Sequence, residues 1–183
     1  MADEYVVGKT KLKIERSDIV KAGTEAIVNA ANSALAGGGG VDGAIHTAAG
    51  RELYELTRPF GGCPTGSAVI TASGRIPLPT RYIIHAVGPI YDEYSAGESE
   101  RLLASAYLKS LELAEENQLK SVAFPSISTG VYGYPIQRAA PLVLRTVKEY
   151  LEKKGGNTTL ELVLFVLYGE RDLEIYRNAL AKL

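Results

Sequence analysis

The sequence predicts an α/β fold: a mostly parallel sheet covered on both faces by helices. Three observations lead there. Short apolar runs alternate along the chain with longer stretches whose apolar residues recur at helical spacing. The runs are nearly continuous rather than polar on every second residue, as expected of strands buried on both faces. Three of these strands run out into unusual loops, two rich in glycine and the third Tyr168-Gly169, at the strand ends where sheets of this kind hold their ligands.

Thr10 to Glu15 alternates polar and apolar side chains and reads as a half-exposed strand near a sheet edge. Ser17-Asp18-Ile19-Val20 follows, where Asp18 can cap a short helical turn. Ala26-Ile27-Val28 is a buried strand ending at the amides Asn29 and Asn32. Gly37 to Gly40 then make a flexible turn, and Val41 to Ile45 begin a helix. Ile45, Ala48, Ala49, Leu53 and Leu56 continue one helical face as far as Pro59, with a loop from Phe60 to Gly66. Ser67 to Thr71 and Tyr82 to Val87 are strands whose apolar runs suggest burial on both faces, joined through Gly74 to Pro79. Leu103, Tyr107, Leu111 and Ala114 form the apolar face of a helix from Glu98 to Glu116. Ser121 to Phe124 is a short buried strand, and Gln137 to Lys153 a helix closed by Gly155-Gly156-Asn157. Leu160 to Leu167 is the most strand-like run of all, and Arg171 to Leu183 the last helix.

At 183 residues, with no repeat or linker, the whole of 1–183 reads as one domain. A hydrophobic fraction of 46% with 22% charged residues describes a soluble globular chain. The net charge of -1 gives no general attraction for nucleic acid or lipid, so an anionic ligand has to be held by local geometry. Cys63 is the only cysteine, which excludes an intrachain disulfide and a cysteine-based zinc site and fits a reducing compartment. With no apolar leader in MADEYVVGKTKLK and no spanning run, the chain is expected in the cytoplasm.

Two loops carry the chemistry. Strand, Gly37 to Gly40 and helix start together direct unpaired amides and the positive end of a helix dipole at one place. The second loop, Ser126 to Pro135, has Gly130 and Gly133 for tight turns and hydroxyls on Ser128 and Thr129, so its amides can wrap a phosphate. Either loop alone is an ordinary surface turn. Two in one α/β chain suggest a diphosphate gripped from both sides. The glycine run is not a nucleotide-hydrolysing P-loop, because no Gly-Lys-Ser or Gly-Lys-Thr follows it. The spacing of a dinucleotide fingerprint is also missing. His46 and His85 lack further ligands at metal spacing and read as structural, His85 buried with one hydrogen bond. Cys63 reads as inert and Lys153-Lys154 as a solvated helix end.

The segments Ser17-Asp18-Ile19, IVNAANSALAGGGGVDGAIHTAAG at 27–50, GCPTGSAVIT at 62–71, YIIHAVGP at 82–89 and FPSISTGVYGYP at 124–135 occur in the order of one family. Across nearly its whole length the chain resembles the macrodomains, most of all their MacroD-type ADP-ribosyl hydrolase branch. The resemblance implies a single three-layer α/β/α macrodomain with a mixed, mostly parallel central sheet, binding ADP-ribose above the strand ends. It assigns Asp18 and the Ile19 backbone to the adenine amino group and Tyr168 to stacking on adenine. Gly38, Gly39, Gly40 and Val41 match its first phosphate loop, and Ser128, Thr129, Gly130, Val131 and Tyr132 its second, with Tyr132 beside the distal ribose. Asn32 matches the amide that orients that ribose, while for Asn29 pairing of backbone groups inside the fold is a sufficient reading.

Asp42 matches the aspartate of the hydrolase branch. The implied activity is removal of mono-ADP-ribose from acidic side chains and deacetylation of O-acetyl-ADP-ribose, with Asp42 and Asn32 catalytic. A carboxylate near a helix start is also stabilised by the dipole without any chemistry, so a non-catalytic reader of ADP-ribose is the competing expectation. No metal and no cofactor is implied. The partners implied are ADP-ribose, its derivatives and mono-ADP-ribosylated proteins, bound by a monomer, with RNA disfavoured for want of a basic patch. Two departures bear on specificity: RELYELTRPF at 51–60 lacks the Glu-Cys pair frequent in MacroD relatives, and the paired glutamates of poly-ADP-ribose glycohydrolases are missing.

Overall fold

The computed structural model describes residues 3–183. In chain order the elements are β1 (Glu4–Val7), β2 (Thr10–Arg16), β3 (Ala26–Ala30), α1 (Gly40–Ala49), α2 (Glu52–Thr57), β4 (Ala68–Ala72), β5 (Tyr82–Ala86), α3 (Ala96–Glu116), β6 (Ser121–Phe124), α4 (Ile136–Lys154), β7 (Leu162–Leu167) and α5 (Glu170–Ala181). The strands form one mixed seven-stranded sheet in the order β1-β2-β7-β6-β3-β5-β4. Its five inner strands run parallel, and β1 and β4 close the two edges antiparallel to β2 and β5. Among the described residues no helix is long and apolar enough to cross a membrane.

The continuous apolar runs are explained by the layering. Successive residues of a strand point to opposite faces, and both faces here are covered. On one side Val28, Ile84, Val122, Phe124, Val163 and Phe165 pack with Leu103, Tyr107, Val143, Val147, Leu173 and Tyr176 of α3, α4 and α5. On the other, Ile27, Ile83, Ala123, Leu164 and Val166 pack with Ile45, Ala49 and Leu53 of α1 and α2. The larger core is threaded by aromatics from α3 to α5, with ring centroids of Tyr107 and Phe124 4.8 Å apart, Phe124 and Phe165 5.9 Å, and Phe165 and Tyr176 6.2 Å.

The elements depart from the sequence reading in four places. The first strand, β1, was not expected: four residues with a half-exposed pattern carry little periodic signal, and β1 is held by its hairpin to β2 around Gly8 at φ +59°. The expected continuous helix from Ile45 to Leu56 is broken at Gly50, which takes φ +87° between α1 and α2. That break turns Leu56 outward to 37% exposure instead of into the core. Strand β4 is an edge strand, mostly half-buried, rather than covered on both faces. Lys154 is not merely solvated, since its Nζ lies 3.0 Å from Glu115 Oε2 and over the Tyr150 ring.

Replacing Phe124, fully buried at the centre of the aromatic row, removes contacts to both Tyr107 and Phe165. F124A should lower the unfolding free energy by about 3–5 kcal/mol, measured by urea denaturation against wild type.

Candidate functional site

The five parallel strands β2, β7, β6, β3 and β5 end on one edge of the sheet. The loops singled out after β3, β6 and β7 leave from that edge. The crevice between them has a backbone cause. β3 pairs with β6 only through Ala26↔Val122 and Ile27↔Ala123, whereas its pairing with β5 continues to Ala30↔Ala86. Beyond Ile27 and Ala123 the two neighbours part, so the loop after β3 and the loop after β6 face each other across the gap. This is the kind of position at which open α/β sheets bind ligands.

Asn32 builds the first loop. Its Nδ2 donates to the Gly37 carbonyl at 2.9 Å, and its Oδ1 accepts from the Ala36 amide at 3.1 Å. The loop then turns into α1 through Gly37 and Gly40, both at positive φ, and close against its own helix: a Cβ on Gly43 would lie 2.6 Å from the Gly38 carbonyl oxygen. Gly39 occupies the N-cap of α1 without a side chain to cap it, and space is open around its α-carbon. The first amides of a helix have no intrahelical acceptor, so those of Gly40 and Val41 offer donors and the positive end of the dipole to an anion.

Asp42 sits in the first turn of α1, 6% exposed. Its Oδ1 accepts from Asn29 Nδ2 at 2.8 Å and lies 3.3 Å from His46 Nε2 one turn along the helix. Its Oδ2 lies toward Gly38, where a Cβ would come within 3.6 Å of it and 4.0 Å of Asn32 Nδ2. Asn29 therefore does more than pair backbone groups; its amide joins the sheet to Asp42. His46 is thus paired with Asp42, and its ring also lies against Tyr54 with centroids 4.5 Å apart. The i,i+4 spacing of Asp42 and His46 was a signal for that pair. His85 makes two side-chain contacts rather than one, Nδ1 to Asn29 Nδ2 at 3.2 Å and Nε2 to Thr71 Oγ1 at 3.0 Å.

The second loop rests on two buried tyrosines. Tyr107 of α3 donates its hydroxyl to the Pro125 carbonyl at 3.0 Å and accepts from the Ile127 amide at 3.2 Å. Tyr176 of α5 meets Ser126 Oγ at 3.2 Å, and Thr129 Oγ1 donates to the Ser126 carbonyl at 3.0 Å. Above this base Ser128 takes φ +68°, unusual for a residue with a side chain. Gly88 leaves room for its side chain, because a Cβ there would run into Ser128 Oγ. Gly130 is open, and Val131 at the loop tip is fully exposed. The Tyr132 carbonyl accepts from the Tyr91 amide at 2.9 Å. Burial raises the Tyr132 hydroxyl pKa, and the nearby carboxylates of Asp42 and Glu93 raise it further.

Asp18 follows β2 on the same edge and caps a turn over Ile19–Lys21, its Oδ1 accepting from the Val20 amide at 3.2 Å. Ile19 is buried beneath it. Tyr168 follows β7, the strand beside β2, and its side chain is 90% exposed, which leaves a free aromatic face and rules out a core role. Cys63 is buried, and burial pushes its thiol pKa up, so it is a poor nucleophile.

The Macro domain family model matches residues 28–143 of this chain. A macro domain-containing protein of Caldanaerobacter subterraneus is 51% identical over 96% of this chain and 98% of its own length. The O-acetyl-ADP-ribose deacetylase of Escherichia fergusonii is 46% identical over 95% and 97%. Among solved structures, the Oceanobacillus iheyensis macrodomain with ADP is similar at a TM-score of 0.87 and 44% identity, covering 98% of this chain and 94% of that one.

One group in the site ties it to pH. Burial, then the charge of nearby His46, pushes the His85 pKa down from 6.5 to about 3. The unfolded chain takes up that proton first, so the contribution is complete above about 6.5 and is lost as pH falls toward the folded value. H85N should flatten the plot of unfolding free energy against pH between 6.5 and 4, removing a slope of up to about 1.4 kcal/mol per pH unit, as read by denaturant titrations across that range.

Proposed function

This chain belongs to the Macro domain family, and we propose that it is an ADP-ribose-binding hydrolase that releases mono-ADP-ribose from aspartate and glutamate side chains and deacetylates O-acetyl-ADP-ribose. The observation that carries the proposal is the arrangement of Asp42: one carboxylate oxygen is engaged by Asn29 and His46, and the other lies toward the backbone of the first glycine loop.

In this reading Gly38, Gly39, Gly40 and Val41 on one side and Ser128, Thr129, Gly130 and Val131 on the other grip the diphosphate through backbone amides. Asp18 accepts from the adenine amino group, the Ile19 backbone lies beside it, and Tyr168 stacks on the base. Asn32, whose Nδ2 has a second hydrogen beyond the one given to Gly37, orients the distal ribose together with Tyr132. Water held at Asp42 Oδ2 loses a proton to that oxygen as it attacks. Attack at the anomeric carbon breaks its bond to the side-chain carboxylate and gives ADP-ribose and free Glu or Asp. Attack at an acetyl carbonyl gives ADP-ribose and acetate. Positioning contributes most, because the reacting water is held at short range rather than recruited from solvent.

The competing reading is a module that holds ADP-ribose without turnover. It is favoured by the depth of Asp42, only 6% exposed and already hydrogen-bonded within the protein. A single pair of assays separates the two. D42A should keep ADP-ribose affinity within about threefold in titration calorimetry yet lose at least about 100-fold in release of ADP-ribose from a mono-ADP-ribosylated glutamate peptide. Full release by D42A, or none by wild type, would overturn the hydrolase reading.

A further inference from the structure

Asp42 is only as well placed as the amide that holds it, and an asparagine amide has nearly the same shape with its oxygen and nitrogen exchanged. Packing alone therefore cannot decide which atom of Asn29 faces Asp42. A hydrogen-bond pattern has to decide it. Asn29 Nδ2 has two hydrogens, one directed to Asp42 Oδ1 at 2.8 Å and one to His85 Nδ1 at 3.2 Å. His85 accepts at Nδ1 when its proton is on Nε2, and Nε2 is 3.0 Å from Thr71 Oγ1. The hydroxyl of Thr71 donates onward to the Ala72 carbonyl at 2.9 Å, which leaves its oxygen free to accept from His85. Every proton in the series has one consistent direction. The three side chains come from β3, β5 and β4, adjacent strands, and Asn29 and His85 are direct partners in register. Asn29 is fully buried and His85 1% exposed, so solvent does not compete for these bonds.

Resting on the hydrolase reading above, we infer that His85, backed by Thr71, is a positioning residue for the reaction: its Nδ1 fixes the Asn29 amide with nitrogen toward Asp42, and so aims the carboxylate. Without an acceptor at that point the second amide hydrogen is left buried and unpaired, and the amide turns to place it elsewhere. That turn draws the first hydrogen off the line to Asp42 Oδ1, and the carboxylate rotates away. Burial keeps His85 neutral at physiological pH, so the acceptor is always available.

The test compares three substitutions at position 85 in the full chain. H85L removes the acceptor. H85N can set its Oδ1 where Nδ1 stood, and H85Q carries its amide to the Nε2 position instead. H85L and H85Q should lower kcat for release of ADP-ribose from a mono-ADP-ribosylated glutamate peptide by on the order of 100-fold, with the Kd for ADP-ribose within about threefold of wild type. H85N should recover most of kcat. A purely structural histidine would shift melting temperature without this split between kcat and binding. Wild-type kcat in H85L, or equal kcat in H85N and H85Q should H85L not fold, overturns the inference. If the wild-type protein releases nothing, the hydrolase reading fails, and 15N spectra of the imidazole decide the relay separately: an Nε2–H tautomer upholds it and an Nδ1–H tautomer overturns it.

Discussion

Parallel strands that stop hydrogen-bonding to each other before either has ended leave backbone groups to be satisfied elsewhere, and β3 and β6 stop after Ile27↔Ala123. The rest of the site follows from that parting. On one side Ala31 is taken up by β5, its amide donating to the Ala86 carbonyl at 2.9 Å, and Asn32 then ties the chain into the first glycine loop. On the other side the chain after Phe124 is taken up by tyrosine hydroxyls, with Tyr107 serving both Pro125 and Ile127. Each rim of the crevice is thus anchored in a different core layer or strand, and neither depends on contact with the other. An anion placed between them would meet amides that are fixed before it arrives.

The fold was legible where burial dominates. Ala26 to Val28, Ser121 to Phe124 and Leu162 to Leu167 are continuous apolar runs because two helical layers cover them, and the sequence reading found all three, starting the last two residues early. It missed β1, whose stability lies in its hairpin rather than in its own composition, and it ran one helix through Gly50 because apolar spacing persists across the break. The edge position of β4 was hidden for a related reason: its run of apolar residues reads the same whether one face or two are covered.

Within the site, the two loops were visible as glycine clusters, and Asp42 through the family resemblance. The assembly around Asp42 was not. Asn29 and His85 are 56 residues apart, and Thr71 reaches His85 from a third strand. Only strand register brings them together, and register is a tertiary fact. The arrangement is also costly. Asn29 Oδ1 and His46 Nδ1 are buried without a partner among the described residues, and a buried polar atom left unpaired destabilises by about 1–3 kcal/mol. Ser17 Oγ, Ser128 Oγ and the Tyr150 hydroxyl are buried without a partner as well, so the deficit is not confined to the neighbourhood of Asp42.

The close fit of Ser128 Oγ beneath Gly88 couples two segments that are far apart in the chain. Any side chain at position 88 would have to displace the side chains of Ser128 and Ile127 from where they now pack. The tolerance of position 88 is therefore set by the side chains of the opposite loop rather than by the conformation of its own backbone.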